Sequence, residues 1–474
     1  MVDKELAFAP AHRLRELIRA GEVSPVELTE LYLRRIEELD PKLNSYLTVD
    51  ADGALATARE AEAAALRGED LGPLHGVPIS VKDLEMTKGL RTTSGSLVFK
   101  DRVPQEDSIV VERVRKAGAV ILGKTNTPEF GLRGSTENRL GEPCRNPWDT
   151  GRTPGGSSGG AGAALLAGLC AVATGSDGGG SIRIPASFCG CYGIKPTQGR
   201  VPRYAGAGLP PLANHFSQSG PMSRDVRDSA ILLQVMAGYD PRDPSSLREP
   251  VPDFVAALER DVAGLRVGWS ADMGYAAVDP EVRETCRQAV GVFEELGCSV
   301  EEADGLVLDD PFEAFWTLFA SSAYAAYGQI LRTQAHQLTW YALEALKLGS
   351  RVTGADYARA LGYIDRLRAQ FADLFQRYDV LVTPTMAVPA FPIGEAPREI
   401  DGRPVHPFWG YLPFTYPVNM VGFTAASIPC GRSSEGLPIG LHIIGNRGAE
   451  ATVLAASAAF ERARPWQDQR PPVS

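Results

Sequence analysis

The segment that decides the fold of this chain reads GGSSGGAGAALLAGLCAVATGSDGGGSIRIPA, residues 155–186. It contains two glycine–serine loops, separated by a small-residue helix, AGAALLAGL, and a short apolar strand, CAVATG. Small residues let backbones approach one another closely, and the apolar helix and strand argue against low-complexity disorder. We therefore expect residues 151–199, which contain this segment, to form the densely packed centre of the protein.

Helical and strand patterns alternate on both sides of this centre. Ser24, Pro25 and Glu27 form an N-terminal capping signature, and the apolar residues after it predict a helix over residues 25–39. The other predicted elements are helices over 51–67, 280–297 and parts of 311–376, and strands within 75–83, 380–382 and 426–429. This alternation predicts an α/β fold, and the lack of a repeat or an obvious linker favours one large domain.

Composition argues against several classes of protein. The chain has 474 residues, with 48 Lys and Arg against 58 Asp and Glu, which gives a formal net charge of −10. A field of this sign repels polyanions, so nucleic-acid binding is not expected. No apolar run approaches the roughly 18 residues of a membrane-spanning helix. The N-terminus lacks a secretory signal pattern, which makes the cytoplasm the expected compartment. The seven scattered cysteines predict buried free thiols rather than a disulfide framework or a metal site.

Three patterns match motifs of other protein classes. Residues 118–125, GAVILGKT, fit a phosphate-binding loop, but their four variable positions are apolar and β-prone, which predicts a buried strand. Residues 155–159, GGSSG, fit the nucleophile elbow of α/β-hydrolases, but a loop precedes them where that motif needs a strand. Four histidines have no evident carboxylate partner: His215, His336, His406 and His442. A Ser-His-Asp triad is therefore disfavoured, although sequence alone leaves it open.

Ser181 is the candidate nucleophile. It ends the run GGGS at residues 178–181, where three consecutive glycines leave backbone N–H groups unshielded, as an oxyanion hole requires. A tight glycine turn with an incidental serine is the alternative interpretation. A serine hydroxyl is a poor nucleophile at neutral pH and needs a base within hydrogen-bond reach. Without a credible histidine, the next candidate is a lysine whose pKa is lowered by burial, so that the neutral amine can form.

Several blocks of this chain closely resemble the amidase signature family. The longest are residues 155–160 and 175–186. Shorter blocks follow in the family's order along most of the chain: HGVP (75–78), VKD (81–83), GKTN (123–126), GIKPT (193–197), TPT (383–385) and GLPIG (436–440). Because several long blocks occur in order, the resemblance is far more specific than any single serine, glycine or lysine.

The resemblance implies a role for each matching residue. Ser181 matches the nucleophile, Ser157 the bridging serine, which in the family follows a cis peptide bond, and Lys82 the base. The oxyanion N–H donors would come from Gly178, Gly179, Gly180 and Ser181. Asp177 and Arg183 flank this loop with opposite charges, and we suggest that they pair to support it, with separate surface roles as the alternative. Two-step acyl transfer by these residues needs no metal and no organic cofactor.

The resemblance also implies the architecture. It predicts a single α/β domain over residues 1–474, in which a large central mixed β-sheet is covered by helices on both faces. The core signature region would span about residues 70–200, and a helix-rich region on the substrate side about residues 270–376.

Three segments rich in apolar and aromatic residues are candidates for substrate contacts. They are residues 204–216, the helical set Phe312, Phe315, Trp316, Phe319 and Tyr324, and residues 407–414. Helical spacing favours a core role for the second set. The Pro and Gly content of the third predicts a loop in which Trp409 and Tyr411 line a pocket. We therefore expect a small-molecule amide, ester or carbamate with an aryl group as substrate, bound by a monomer or homodimer.

Two other functions compete with this prediction. One branch of the family is the glutaminase subunit of the tRNA-dependent amidotransferase, which holds the carboxylate of its amide substrate with an arginine ahead of the TPT block. That position falls at Ile364 here, with Arg366 two residues later, so the resemblance to this branch is incomplete at the clamp. A non-catalytic scaffold would need a broken triad, and Lys82, Ser157 and Ser181 are all present.

Overall fold

The structure is a computed structural model that describes residues 3–69, 72–204, 216–303 and 310–474. Its strands are β1 (Tyr46–Val49), β2 (Pro78–Lys82), β3 (Val120–Thr125), β4 (Val172–Asp177), β5 (Tyr192–Lys195), β6 (Gln218–Ser223), β7 (Arg266–Trp269), β8 (Ser299–Glu302), β9 (Val380–Pro384), β10 (Glu399–Ile400), β11 (Arg403–Pro404), β12 (Thr424–Arg432) and β13 (Pro438–Gly445).

The helices alternate with these strands along the chain, as in other α/β folds. They are α1 (Asp3–Phe8), α2 (Ala11–Arg19), α3 (Pro25–Leu43), α4 (Ala51–Leu66), α5 (Ile109–Lys116), α6 (Gly159–Leu166), α7 (Arg183–Cys189), α8 (Val226–Met236), α9 (Phe254–Ala257), α10 (Pro280–Glu295), α11 (Phe312–Tyr327), α12 (Ile330–Thr333), α13 (Trp340–Gly349), α14 (Gly354–Arg377), α15 (Tyr416–Val421) and α16 (Glu450–Ala463). Three short 3₁₀ helices lie at Leu97–Phe99, Glu129–Gly131 and Ala335–Gln337.

Eleven of the strands form one mixed sheet in the order β1-β3-β2-β4-β6-β5-β12-β13-β9-β7-β8. The pairs β3–β2, β2–β4, β9–β7 and β7–β8 are parallel, and the other six pairs are antiparallel. The strands β10 and β11 form a separate antiparallel ribbon. The predicted α/β fold with a large central mixed sheet and flanking helices is confirmed.

The local signals at the N-terminus explain helix α3. The Ser24 hydroxyl accepts hydrogen bonds from the backbone N–H groups of Val26 and Glu27, and Pro25 occupies the first helical turn. The helix ends at Asn44, which adopts a left-handed conformation with φ 51°. It runs four residues beyond the predicted end at residue 39, because its last turn still buries Leu43 against the core.

The central glycine-rich segment is as densely packed as its composition predicts. Every residue of α6 is buried, although this helix has only small and aliphatic side chains. A Cβ atom on Gly160 would lie 2.4 Å from the backbone nitrogen of Asn126 and 2.5 Å from the carbonyl oxygen of Ser45. Only glycine permits this approach, so α6 lies directly against the chain segments around β3 and β1.

The two motif matches at residues 118–125 and 155–159 have the structures that the sequence predicts. Residues 120–125, the last six of the GAVILGKT pattern, form the fully buried strand β3. They do not form a phosphate-binding turn. Helix α6 begins at Gly159, two residues after Ser157, and the residues just before the GGSSG pattern form no strand.

The predicted helix-rich region and the predicted buried thiols can be compared directly with the structure. Helices α11 to α14 account for the helical periodicity of residues 311–376, and α11 packs against both α13 and α14. All seven cysteines are free, and six are buried. In the described part of the chain, no helix combines the length and the hydrophobicity needed to cross a lipid bilayer.

Candidate active site

Lys82 lies at the carboxyl end of β2, in the interior of the protein. Its side chain has no solvent exposure, and its Nζ donates hydrogen bonds to Ser157 Oγ at 2.7 Å, to Ser158 Oγ at 2.8 Å and to the Ser176 carbonyl oxygen at 3.2 Å. Burial lowers the pKa of Lys82 to about 7, against the opposing attraction of Asp177 and Glu85. Near neutral pH the amine therefore has a substantial neutral fraction, which can accept a proton.

Ser157 lies between Lys82 and the solvent-accessible site. The peptide bond between Gly156 and Ser157 is cis, as the family resemblance implies, and Ser157 stands two residues before the start of α6. Gly155 and Gly131 help to shape this corner, with φ values of 80° and 72°. A Cβ atom on Gly131 would lie 3.3 Å from Ser157 Oγ, so glycine leaves room for the Ser157 hydroxyl.

Ser181 ends the glycine run that connects β4 to α7. Its carbonyl oxygen accepts a hydrogen bond from the Ser158 backbone N–H at 3.1 Å, which ties this loop to the GGSSGG loop. Ser157 and Ser181 line the same cavity, whereas Lys82 lies behind Ser157, away from the lining. The structure thus brings together three predicted residues from positions 82, 157 and 181.

Asp177 and Arg183 form a buried ion pair beneath the Ser181 loop. Arg183 donates from Nε to Asp177 Oδ2 and from Nη2 to Asp177 Oδ1, both at 2.9 Å. Burial alone would raise the pKa of Asp177, but attraction and hydrogen bonds from Arg183 outweigh it and hold that pKa well below its usual range. Asp177 also accepts from the N–H groups of Gly180 at 2.7 Å and Ile182 at 3.2 Å, so the pair fixes the loop from below.

Three further residues complete this support, and nothing in the sequence indicated that role for any of them. Asn419 donates to Asp177 Oδ1 at 2.8 Å and accepts from Arg183 at 2.6 Å, and His442 lies 3.0 Å from Arg183 Nη1. The Thr415 hydroxyl donates to the Gly179 carbonyl oxygen at 2.7 Å. These residues lie more than 230 positions away from the loop in the chain, so no local pattern identifies them.

The predicted oxyanion donors do not all remain available. The Gly180 N–H already donates to Asp177 Oδ1, so the expectation for Gly180 is not met. Its φ of 125° and the 2.4 Å between its hypothetical Cβ and Thr415 Oγ1 give it a conformational role instead. Gly178, Gly179 and Ser181 line the cavity and are the remaining candidates for donors.

The cavity in front of the two serines has a volume of about 310 Å³, the size of a small-molecule site. Its apolar wall includes Phe99, Phe130, Leu132, Phe319, Ala323, Tyr327, Ile330 and Trp409. Trp409 thus lies where the sequence predicted it. Phe319 lies there too, although its helical spacing favoured a core role; the helix α11 faces the core with Phe315 and the cavity with Phe319.

Tyr411 does not line this cavity, so that prediction is wrong. Its side chain is only 1% exposed and packs edge-on against Phe391, with ring centroids 4.8 Å apart. The loop that carries it lies in the core, where Phe408, Leu412 and Phe414 are also buried. Pro and Gly content predicted a loop correctly but did not reveal that this loop is covered. Of the segment 204–216, residues 205–215 lie outside the described residues.

The alternative catalytic and clamp residues lie elsewhere. Within the described residues, no histidine lines the cavity, and His442 contacts Arg183 and Thr383 rather than a serine. Ile364 is buried in α14, whereas Arg366 is exposed and stacks over Tyr363 at 5.3 Å. Neither position of α14 contributes to the cavity lining.

One group of side chains in the described part of the chain has the ligand types of a metal site. His12, Asp225 and Asp228 place their ligand atoms within 4.8 Å of one another, outside the cavity. Asp228 accepts hydrogen bonds from the backbone N–H groups of Ala11 and His12, and Asp225 accepts from Asp228 N. Both carboxylates thus cap helix N-termini, α2 and α8, which accounts for their positions.

The sequence and the fold of this chain are similar to those of known proteins. Residues 27–454 match the family model described as Amidase. The chain is 42% identical to a subunit of the glutamyl-tRNA(Gln) amidotransferase of Moorella thermoacetica, over 98% of this chain and 99% of that protein. It is 38% identical to an acylamidase of Rhodococcus erythropolis, over 99% and 98% of the two chains. The structure of a bacterial aryl acylamidase of the amidase signature family superimposes with a TM-score of 0.91 at 33% identity, covering 97% of each chain.

Proposed function

Because this chain belongs to the amidase signature family, whose members act on C–N bonds, we propose that it hydrolyses amides with Ser181 as nucleophile. The observation that carries the proposal is the hydrogen bond of 2.7 Å from buried Lys82 to Ser157, which shares the cavity wall with Ser181. This arrangement supplies a base behind a hydroxyl that borders the space where substrate would bind.

The proposed reaction has two steps. Neutral Lys82 accepts the proton of Ser157, and Ser157 accepts the proton of Ser181 as the Ser181 oxygen attacks the substrate carbonyl carbon. The proton returns through Ser157 to the leaving nitrogen, the C–N bond breaks, and an acyl-enzyme on Ser181 remains. A water molecule, deprotonated through the same path, then releases the acid and restores the Ser181 hydroxyl.

The oxyanion of each tetrahedral intermediate needs N–H donors near the carbonyl oxygen. Gly178, Gly179 and Ser181 are the proposed donors, since the Gly180 N–H is engaged by Asp177. The Asp177–Arg183 pair would act as support that keeps this loop rigid before substrate arrives.

The nucleophile assignment is tested by covalent labelling. A fluorophosphonate reacts with an activated serine, and digestion with mass spectrometry identifies the modified residue. We expect the label on Ser181 in the wild-type protein and no label on the Ser181→Ala variant. Label that persists in this variant, or that is found on Ser158, would refute the assignment.

The proposed substrates are aryl amides, with aryl esters and aryl carbamates as further substrates of the same carbonyl chemistry. The aromatic wall supports this, because Trp409 and Phe319 stand with their ring centroids 5.3 Å apart and both line the cavity. We expect the enzyme to act as a monomer or homodimer in the cytoplasm. The comparison of kcat/KM for an anilide, an aryl carbamate and a small aliphatic amide tests the preference.

A second candidate function is that of a glutaminase subunit in an amidotransferase, which the 42% identity to the Moorella protein favours. The burial of Ile364 and the exposure of Arg366 argue against it, since neither offers a guanidinium to a glutamine carboxylate in the cavity. The test is the rate on free glutamine. Faster turnover of glutamine than of an anilide would favour the amidotransferase.

A further inference from the structure

Arg102 is a charged side chain fixed in the wall of the catalytic cavity. Its Nε donates to the Thr92 carbonyl oxygen at 2.8 Å, and its Nη2 donates to Ser94 Oγ at 2.6 Å. Its guanidinium stacks over the ring of Phe99, with the central carbon 4.4 Å from the ring centroid. Three contacts thus hold a planar cation in one orientation at the cavity.

In the described part of the chain, the hydrogen bonds donated by the Arg102 guanidinium go to neutral oxygen atoms, those of Thr92 and Ser94. Tyr327 and Asp83 attract its charge, against the larger opposing effect of burial. The other arginine of the wall, Arg203, is attracted by two carboxylates, Glu85 and Asp243. Burial lowers the pKa of Arg102, but a guanidinium stays protonated at physiological pH. A partly buried cation without a bound anion is unfavourable unless a ligand supplies one.

Ser94 adds a second donor next to Arg102. Its side chain is 3% exposed, lines the cavity, and accepts the Arg102 hydrogen bond, which leaves its own hydroxyl hydrogen to donate. Its backbone adopts φ 54°, a left-handed conformation that is uncommon for serine, and its carbonyl oxygen accepts from the Phe130 N–H at 2.9 Å.

The position of Arg102 relative to the serines follows from a chain of contacts. Gly131 borders Ser157 Oγ, and Phe130 precedes it in the chain. The ring of Phe130 meets that of Phe99 at a centroid distance of 6.0 Å, and Arg102 lies over the far partner of this pair. The rings of Phe99 and Phe130 thus connect the guanidinium to the backbone beside Ser157, and Tyr327 stacks on Phe130 at a centroid distance of 4.0 Å.

We propose that Arg102, assisted by Ser94, binds a carboxylate at the distal end of the substrate, with an apolar spacer lying along Phe99 and Phe130. This inference rests on the proposed function and narrows its substrate class to amides that carry a terminal carboxylate. A guanidinium and a hydroxyl that converge on one point suit the two oxygens of a carboxylate. Free glutamine is too short, because only three carbons separate its amide carbonyl from its carboxylate.

The test uses anilides of dicarboxylic acids, from glutarate to suberate, each paired with the alkanoyl anilide in which a methyl group replaces the carboxylate. Release of aniline gives kcat and KM for every pair. In the wild-type protein, we expect the carboxylate to have little effect in glutarate monoanilide, whose three-carbon spacer equals that of glutamine. At the longer spacers it should raise kcat/KM by about 10- to 100-fold, as a charge-assisted hydrogen bond predicts, mainly through KM. The advantage should grow with spacer length from glutarate upward.

Two arginine variants decide whether this advantage comes from Arg102. In Arg102→Gln, we expect the carboxylate and methyl anilides to become nearly equal. Arg113→Gln is the matched control, since Arg113 is also partly buried and donates to the carbonyl oxygens of Met236 and Gly238, away from the cavity. It should retain the full ratio. A wild-type ratio of one at every length, or an undiminished ratio in Arg102→Gln, would overturn the inference.

A binding measurement separates this inference from the proposed function. Calorimetry of suberate monoanilide with Ser181→Ala protein requires no turnover, and the added Arg102→Gln change should weaken binding by about 10-fold or more. Equal binding with and without Arg102 would refute the carboxylate site. If the wild-type protein hydrolysed none of these anilides but still bound suberate monoanilide in an Arg102-dependent way, the proposed hydrolase function would be refuted. The proposed carboxylate site would then still stand.

Discussion

Lys82 and Lys124 occupy nearly equivalent places in the sheet. Each stands at the carboxyl end of one of two adjacent parallel strands, β2 and β3, and neither has any solvent exposure. Burial lowers the pKa of Lys82 to about 7 and that of Lys124 to about 8. By burial and pKa alone, the two lysines would be equal candidates for a general base.

Their hydrogen-bond partners separate them. Lys82 donates to Ser157, whose hydroxyl reaches the cavity. Lys124 donates to the Glu85 carbonyl oxygen and to the hydroxyls of Thr87 at 2.6 Å and Thr92 at 3.2 Å, and neither threonine lines the cavity. A lowered pKa therefore identifies a buried lysine, whereas a hydrogen-bonded route from its amine to the substrate space identifies a base.

The largest expected difference is in catalysis by two matched variants. Lys82→Met should lower kcat by about 10⁴-fold, because it removes general-base catalysis. Lys124→Met has the same chemical change one strand away and should keep kcat close to that of the wild type. Steady-state hydrolysis of an anilide measures both. A similar loss in the two variants would show that burial of a lysine, rather than its route to Ser157, determines activity.

A second pair of variants tests the route itself. Lys82 Nζ donates to both Ser157 and Ser158, at 2.7 and 2.8 Å, but only Ser157 lines the cavity. Ser157→Ala should lower kcat by about 10²- to 10³-fold through loss of proton transfer, whereas Ser158→Ala should have a much smaller effect. Single-turnover rates measure both. A greater loss in Ser158→Ala would move the relay to Ser158.

The pH dependence gives a third distinction. The neutral amine is the active form of Lys82, so the rate should rise as pH rises through about 7, falling about tenfold per unit on the acidic side. This limb belongs to the coupled Lys82–Ser157 unit. We expect the same limb in Lys124→Met. A kcat/KM that is constant from about pH 6 to 10 in the wild type would contradict the role of Lys82.

The smallest expected effect is on stability. Lys124→Met leaves the Glu85 carbonyl oxygen and two threonine hydroxyls without their donor, and it should lower the free energy of unfolding by about 1–3 kcal/mol. Urea unfolding followed by fluorescence measures the change. Lys124→Arg, which keeps donors but adds bulk in a buried site, is a useful second variant. An unchanged unfolding midpoint in Lys124→Met would show that these bonds contribute little.

Local chemistry made much of the fold predictable. The capping residues at Ser24, the alternation of strands and helices, and the small residues of 155–186 act within a few positions of one another, so the pattern carries their structure. Lys82, Ser157 and Ser181 could be named because they stand in blocks that resemble a known family. The conformation of each block depends on residues close to it in the chain, whereas the contact between the blocks depends on the whole fold.

The parts that sequence did not reveal depend on distant contacts. Asn419 and His442 join Arg183 across 236 and 259 positions, and only folding brings them together. The engagement of Gly180 by Asp177 depends on the turn geometry, which three glycines leave undetermined. The composition around Tyr411 correctly predicts a loop, but this loop lies in the core and the side chain is buried. Whether a loop is covered depends on the elements packed around it, which the local sequence does not show.

The cavity wall and the reacting groups come from different stretches of the chain, and this has a consequence for protein engineering. Helix α11 borders the cavity with Phe319, Ala323 and Ala326, none of which belongs to the segment that carries the serines. A mutant library restricted to these three positions should change which substrates fit the cavity, with little effect on the catalytic residues. Phe315 should be left out of such a library, because its ring tip lies 2.8 Å from where a Cβ on Gly179 would be, so exchanging it would disturb the loop that carries Ser181.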